Sequence, residues 1–465
     1  MNDKFRDECG VFGIYGHIEA VKYTTLGLTA LQHRGQHSSG IAVNDAGRIR
    51  RICRSGTTAN LIADNEVKTL RGTVAIGHVR YSTVGEISLA NAQPIMLQCP
   101  QGQMALCHNG QIVNFHELKE NLSVLGVTWL STSDSELVLQ LCGISKQTAP
   151  LDAIVEALER LEGAFSLLLL TNDDLIVARD PHGFRPLCMG YLDGAVIVCS
   201  ETCALDAVGA RYIKEIEPGE VIAIGRAGMR TMRYSRGKKM AHCIFEHVYF
   251  ARPDSSVFGK NVGAVRLKLG YNLARETCVD ADVIVPIPES GMWVALGYQA
   301  ECGLPLSLGL VRNSYVGRTF IEPQVKRDES VMKLKLNPVR SVLAGKRVVL
   351  IDDSIVRGET MARIVGMVRK AGAKAVHVRI GSPPTIAPCF YGINTPTKSE
   401  LIAAEHSINE VRRLIGADSL RYLSLEGLLD AIGSNRLSYC TACYTGDYRV
   451  CPPNIPNPVS TPAWG

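Results

Sequence analysis

Residues 348–360 read VVLIDDSIVRGET, and this stretch decides the architecture of the second half of the chain. An apolar, strand-like run ends in Asp352-Asp353, and a loop carrying Ser354, Gly358 and Thr360 follows. Met361, Ile364, Val365 and Val368 then recur at the spacing of one helix face. Lys370 and Gly372 supply the basic last turn and the stop. Two more apolar runs, 283–288 (VIVPIP) and 375–380 (AVHVRI), lie on either side. Strand, helix and strand in this order predict a parallel α/β sheet with right-handed crossovers.

The loop has a chemistry of its own. Backbone N–H groups at a helix N-terminus are unpaired and favour an anion, and small residues let that backbone close on a phosphate. Two carboxylates beside it suit sugar hydroxyls or Mg²⁺, a cation that prefers oxygen ligands. A bare D-D-S turn is an ordinary strand-to-helix cap, but the whole string describes a site for a phosphorylated sugar. No G-x-x-x-x-G-K-[ST] run is present, which leaves a Walker-type nucleotide site unsupported.

Composition bounds the alternatives. The chain has 465 residues, 46% hydrophobic and 20% charged, enough for two or three domains with sizeable cores. Its net charge of +5 is too small to argue for nucleic acid or a membrane surface, and no apolar run is long enough to span a bilayer. The 15 cysteines are scattered and odd in number. With no secretory signal they read as thiols, metal ligands or catalytic groups of a cytoplasmic protein, not as a disulfide framework.

The first half carries strand-like runs at 74–79, 165–171 and 195–199 and a helical segment at 133–141. Strands and helices in this arrangement suggest layered sheets with helical cover. Residues 226–239 are basic and poor in large apolar side chains, a solvated linker or an edge strand, and we place a domain boundary near residue 240. Residues 440–465, rich in Cys, Pro and Tyr, read as an irregular wrap.

Cys9 sits behind the octet MNDKFRDE, which is too short and too charged for a secretory signal. The polar clusters LQHRGQHSSGIAV (31–43), GHVRYSTVG (77–85), CHNGQIVN (107–114) and STSDSE (131–136) accompany it. They supply what an amino-acid substrate needs: Arg80 for an α-carboxylate, Asp134 for an α-ammonium, and Asn109 with Gly110 for an oxyanion.

On these residues the chain resembles the glutamine phosphoribosylpyrophosphate (PRPP) amidotransferases. CGVFGI, QHRGQ, HVRYST, HNG and TSDSE match the family's N-terminal-nucleophile glutaminase domain, and VVLIDDSIVRGET matches its PRPP loop. The resemblance implies a four-layer αββα glutaminase domain over 9–240, a type I phosphoribosyltransferase domain with a parallel sheet over 241–465, and a propeptide at 1–8. It implies the first step of de novo purine synthesis: PRPP, glutamine and water give 5-phosphoribosylamine, pyrophosphate and glutamate, with ammonia passed between two sites.

The resemblance also implies ligands. RNSYVGRTFIEPQ (312–324) and KLKLNPV (333–339) match the loop that closes over PRPP, so Arg312, Tyr315, Arg318, Lys333 and Lys335 are expected to meet pyrophosphate. Ser290, in PIPESG, is expected to join Asp352 and Asp353 around one Mg²⁺ per subunit. The CxxC of Cys440 and Cys443 alone leaves zinc, redox and no role equally open. The iron–sulfur members of the family pair it with the cysteines that here are Cys243 and Cys389, for one [4Fe–4S] cluster per subunit. Zinc is the rival, with Cys451 as a substitute ligand. Feedback by purine nucleotides and a homotetramer are further implications. His37 stands where the family's run carries an acidic residue, and Met292-Trp293 are bulky where small residues are common.

Two other readings remain distinguishable. A glucosamine 6-phosphate-forming amidotransferase would share Cys9 and HNG but not need the Asp352-Asp353 loop. A PRPP-sensing regulator would not need Cys9, Arg80, Asn109 or Asp134. The family reading carries a prediction for the N-terminus: sequencing of the active protein is expected to begin at Cys9, and an active enzyme whose intact mass retains residues 1–8 excludes the processing.

Overall fold

The structure is a computed structural model, which describes residues 9–81, 88–313, 336–395, 397–433 and 436–451. Residues 1–8 and the expected pyrophosphate contacts Tyr315, Arg318, Lys333 and Lys335 lie outside the described residues.

The first domain is built on two antiparallel sheets. Its strands are β1 (Gly10–Tyr15), β2 (Ser38–Asp45), β3 (Arg48–Ser55), β4 (Val74–Arg80), β5 (Ile95–Cys99), β6 (Gly102–Ile112), β7 (Gly163–Leu170), β8 (Leu175–Arg179), β9 (Cys188–Leu192), β10 (Ala195–Cys199), β11 (Arg211–Glu215), β12 (Glu220–Gly225) and β13 (Gly228–Arg233). One sheet has the order β11-β9-β10-β1-β4-β2-β3 and the other β13-β12-β8-β7-β6-β5.

Alternation along the strands generates four layers. Val11 of β1 and Leu168 and Leu170 of β7 enter the core between the sheets, with Ala105 and Cys107 of β6. Phe12 and Ile14 point the other way, against helix Ala20–Ala30. Leu167 and Leu169 face helices Phe115–Val124, Ser135–Ile144 and Pro150–Glu159. The resulting αββα stack is the expected architecture. The basic stretch 226–239 includes β13, a fully exposed strand at the edge of the second sheet.

The second domain carries a four-stranded parallel sheet in the order Val283–Pro286, Arg347–Asp352, Ala375–Ile380, Ser419–Tyr422. The first two strands are buried on both faces, while Arg421 of the outer strand is exposed. Val283, Val285, Val348 and Leu350 pack toward helices Glu359–Lys370 and Ile408–Ile415. Ile284, Val349 and Ile351 pack toward helices Val262–Thr277 and Met292–Cys302. The predicted apolar stripe Met361, Ile364, Val365 and Val368 is the buried face of its helix. The C-terminal wrap is more regular than expected in its described part: strand Tyr439–Cys440 pairs in parallel with His242–Cys243, and a helical turn, Ala442–Thr445, follows. Among the described residues, no helix is long and apolar enough to cross a membrane.

A buried ionic network joins the two domains. Arg34 donates to Glu201 at 2.6 Å and to Glu246 at 2.7 Å, and all three side chains are essentially inaccessible to solvent. Arg185, fully buried, stands 3.6 Å from the same Glu246 carboxylate. Burial alone would raise the Glu201 carboxyl, but His33 and Arg34 beside it outweigh that and hold it below the usual range. Removing one partner of such a network leaves an uncompensated buried charge, at a cost of about 3–5 kcal/mol. Glu246→Gln is therefore expected to bring on thermal unfolding at a lower temperature. Because the Glu201 value is depressed, its contribution is complete above about pH 4.3, the unfolded glutamate value, and fades as the pH falls below that. Melting curves taken from pH 7 downward check both statements.

Candidate active site

Cys9 precedes β1 at the end of the inter-sheet layer, where its Sγ lies 3.5 Å from the carbonyl oxygen of Tyr81. A small polar cavity there is lined by Cys9, Arg80, Tyr81, Gln93, His108, Gly110, Ser133, Asp134 and Ser135. Burial pushes the Cys9 thiol up, and the Arg80 guanidinium is the main influence opposing it. Arg80 in turn is lowered by burial and supported by Cys9 and Asp134. Four residues expected from sequence, Cys9, Arg80, Gly110 and Asp134, thus meet around one cavity.

Each is fixed by its element. Arg80 ends β4, which pairs with β1 so that Gly10 opposes Val79. Asp134 is at the N-terminal end of helix Ser135–Ile144, and its Oδ2 accepts from the Ile112 N–H at 2.9 Å. The turn before it is pinned by Glu136, whose carboxylate accepts from Leu130 N at 2.9 Å, Ser131 N at 2.7 Å and Ser131 Oγ at 2.6 Å.

Asn109, on β6 between His108 and Gly110, shares the inter-sheet face with Ala105 and Cys107. Its side chain is fully buried, and among the described residues neither its Oδ1 nor its Nδ2 has a hydrogen-bond partner. A buried amide left unpaired costs free energy unless something else occupies it. This pattern suits a group reserved for a ligand.

Sequence reasoning missed the supports. Gln93 accepts from the His108 N–H at 2.6 Å and donates to Ser135 Oγ at 3.0 Å, locking strand to helix. Burial holds the His108 imidazole below its ordinary value, with Asp134 opposing. Arg34 donates its Nε–H to the Cys9 carbonyl at 3.1 Å. Its position inside the QHRGQ run was the available signal. His37 lies against Tyr81, ring centroids 4.2 Å apart, so the departure from the family's run falls beside the cavity without lining it.

The second site lies at the C-terminal ends of neighbouring parallel strands, the usual ligand crevice of such sheets. Asp352 and Asp353 are buried. Asp352 Oδ1 accepts from Ser290 Oγ at 2.9 Å and from the Asp353 N–H at 2.9 Å, and Ser354 Oγ donates to Asp353 Oδ2 at 2.5 Å. Ser290 reaches Asp352 because a side chain at Gly291 would collide with the Ile351 carbonyl, 2.2 Å away, and glycine lets the PIPESG turn close on the strand. Gly358 caps helix Glu359–Lys370 at φ +84°, a left-handed conformation, and Thr360 lies in the first turn. Arg312 is at the rim, 3.7 Å from Glu289. Trp293 packs toward Gly263 at the start of helix Val262–Thr277.

Cys243, Cys389, Cys440 and Cys443 come together from separate segments. Burial raises the Cys443 thiol, and the neighbours that raise it further are Cys440, Cys243 and Cys389. Cys451 is exposed. Among the described residues, no group of three or more His, Cys, Asp or Glu has a geometry suited to a metal ion.

Comparison with known proteins places the chain in a lineage. Residues 78–207 match the glutamine amidotransferase domain family. The chain is 47% identical to chloroplastic amidophosphoribosyltransferase 2 of Arabidopsis thaliana, over 97% of this chain and 81% of that protein. It is 46% identical to amidophosphoribosyltransferase of Bacillus subtilis (strain 168), over 95% of this chain and 94% of that one. A solved structure of glutamine PRPP amidotransferase from B. subtilis, complexed with ADP and GMP, superposes with a TM-score of 0.91 at 44% identity, covering 96% of this chain and 98% of that one. At this identity over nearly the whole chain, the protein belongs to the amidophosphoribosyltransferases, the glutamine-dependent enzymes that convert PRPP to 5-phosphoribosylamine in purine biosynthesis.

Proposed function

We propose that Cys9, released from residues 1–8, is the nucleophile that frees nitrogen from glutamine, and that the Asp352-Asp353 loop holds the PRPP that consumes it. The observation that carries this assignment is the convergence of a buried thiol, a guanidinium and a carboxylate on one polar cavity. Arg80 pairs with the α-carboxylate of glutamine and Asp134 with its α-ammonium, which leaves the side-chain amide for Cys9. Burial keeps the thiol protonated near neutral pH, so a base is required. A free α-amine at Cys9, with an ordinary value of about 7.7–8.0, takes the proton; a peptide nitrogen cannot.

Sulfur then bonds to the amide carbon. The C–N bond breaks, nitrogen leaves as ammonia with the proton returned by the α-amine, and water hydrolyses the γ-glutamyl thioester to glutamate. Asn109 and the Gly110 N–H stabilise the oxyanion, a donor role worth about 10²–10³ in kcat per group. Ammonia is mostly protonated in water at pH 7, so its transfer requires a dry internal passage. At the second site it displaces pyrophosphate from C1 of the ribose. Ser354, Gly358 and Thr360 take the 5-phosphate, Asp352 and Asp353 the ribose hydroxyls, and Arg312 and Tyr315 the pyrophosphate side.

Ser290, Asp352 and Asp353 offer hard oxygen donors and fit one Mg²⁺ per subunit, which when bound would neutralise the leaving pyrophosphate. The four gathered cysteines supply the thiolate donor set of one structural [4Fe–4S] cluster per subunit. Purine nucleotides are the expected feedback inhibitors, in keeping with the ADP and GMP of the B. subtilis complex. A homotetramer and a cytoplasmic setting complete the reading, although the Arabidopsis relative is chloroplastic.

Two outcomes test the assignment. Cys9→Ser is expected to abolish glutamine-dependent pyrophosphate release while ammonia-dependent synthesis persists; retention of glutamine use removes Cys9 from the chemistry. Anaerobic purification is expected to yield brown protein with about four irons per chain. A colourless, iron-free and active preparation removes the cluster.

A further inference from the structure

The loop that carries Cys389 reaches out of the second domain and ends on the glutaminase cavity. The Tyr391 carbonyl is gripped by Arg185, with Nε at 2.8 Å and the terminal guanidinium nitrogen at 2.6 Å. The Tyr391 ring stacks on Phe184 of the first domain, centroids 4.1 Å apart. Its backbone N–H donates to Cys389 Sγ at 3.3 Å, and its hydroxyl donates to the Val450 carbonyl at 3.0 Å.

The next residue, Gly392, lies against Gly110. A Cβ at Gly392 would stand 2.8 Å from both the Cα and the carbonyl carbon of Gly110. Gly392 has φ +104° and Gly110 φ +143°, both conformations that favour glycine. On its other side Gly110 is equally confined, since a Cβ there would lie 2.0 Å from the Ala164 carbonyl oxygen of β7. The backbone of Gly110 is clamped between its own sheet and the second domain, and Gly110 lines the cavity that holds Cys9.

We infer that Gly392 is a positioning residue for glutamine hydrolysis: its backbone holds the Gly110 peptide in line to receive the oxyanion, so the cysteine-bearing loop of the second domain sets the efficiency of the first half-reaction. The inference rests on the reading that Asn109 and Gly110 stabilise the oxyanion. Loss of an oxyanion donor lowers kcat by about 10²–10³, and displacement of one by a methyl group is a partial loss.

The test uses the full-length enzyme with PRPP present. Gly392→Ala is expected to lower the glutamine-dependent kcat by about 10–100-fold, with the KM for glutamine changed by less than about threefold and ammonia-dependent synthesis kept. A structural packing role alone would lower both activities together. Tyr391→Leu, which removes the Phe184 stack but keeps glycine at 392, is expected to move the same kcat in the same direction by less, and serves if Gly392→Ala does not fold. Asn109→Ala separates the two levels. If it lowers the glutamine kcat while Gly392→Ala and Tyr391→Leu do not, the positioning role is overturned and the oxyanion assignment stands. If Asn109→Ala leaves that kcat unchanged, both fall. Parallel loss of the glutamine and ammonia activities in the Gly392 and Tyr391 variants also overturns the inference.

Discussion

The two domains depend on one buried cation. Arg34 binds the carbonyl of Cys9 at 3.1 Å on one side and the carboxylates of Glu201 and Glu246 on the other. Burial works to depress its value, yet the two glutamates raise it above the ordinary arginine range. Such a network contributes little net stability compared with apolar packing of the same volume. What it supplies is register. An arginine fork accepts carboxylates in few geometries, so Cys9, the end of β10 and the segment after residue 240 occupy one fixed arrangement. Glu246 lies beyond residue 240, in the second domain, and the surroundings of Cys9 are completed only when that domain docks.

The two sites share a physical logic. Around each, hydrogen-bonded supporting residues hold in place the groups proposed to meet substrate. In the first, Glu136 accepts from backbone and hydroxyl donors, Gln93 accepts from a backbone N–H and donates to a hydroxyl, and the Asn109 amide has no partner among the described residues. In the second, Ser290 and the Asp353 backbone N–H orient Asp352, so the carboxylate does not need to be reorganised when a ligand arrives. Preorganised polar groups in a water-poor site act more strongly than the same groups in solvent.

Much of this was legible in the sequence because it is written locally. Strands 195–199 and 375–380 and the apolar face of helix Glu359–Lys370 appear where their patterns place them, since runs buried on both faces and a 3.6-residue stripe are short-range signals. Cys9, Arg80, Gly110 and Asp134 were found through motifs that sit at strand ends and helix starts. The Arg34–Glu246 pair spans 212 residues, and nothing in either local run names the other. The contact of Gly392 with Gly110 is less visible still, because two glycines offer no side chain to match. Helix Ser135–Ile144 begins later and ends later than the segment 133–141 read from the sequence, and Glu136 in its first turn is spent on the preceding turn.

The exposed edge β13 has a bearing on how copies of this protein coexist at high concentration. Every residue from Gly228 to Arg233 is open to solvent, and among the described residues the outer position of β13 leaves a row of backbone groups open to another chain's strand. Arg230 and Arg233 fall on opposite faces of that strand, three positions apart. Arg230 stands 3.8 Å from Asp174 and Arg233 3.9 Å from Glu217, and such exposed charged side chains along an outer strand disfavour open-ended sheet growth, the same device by which natural sheets escape fibril formation.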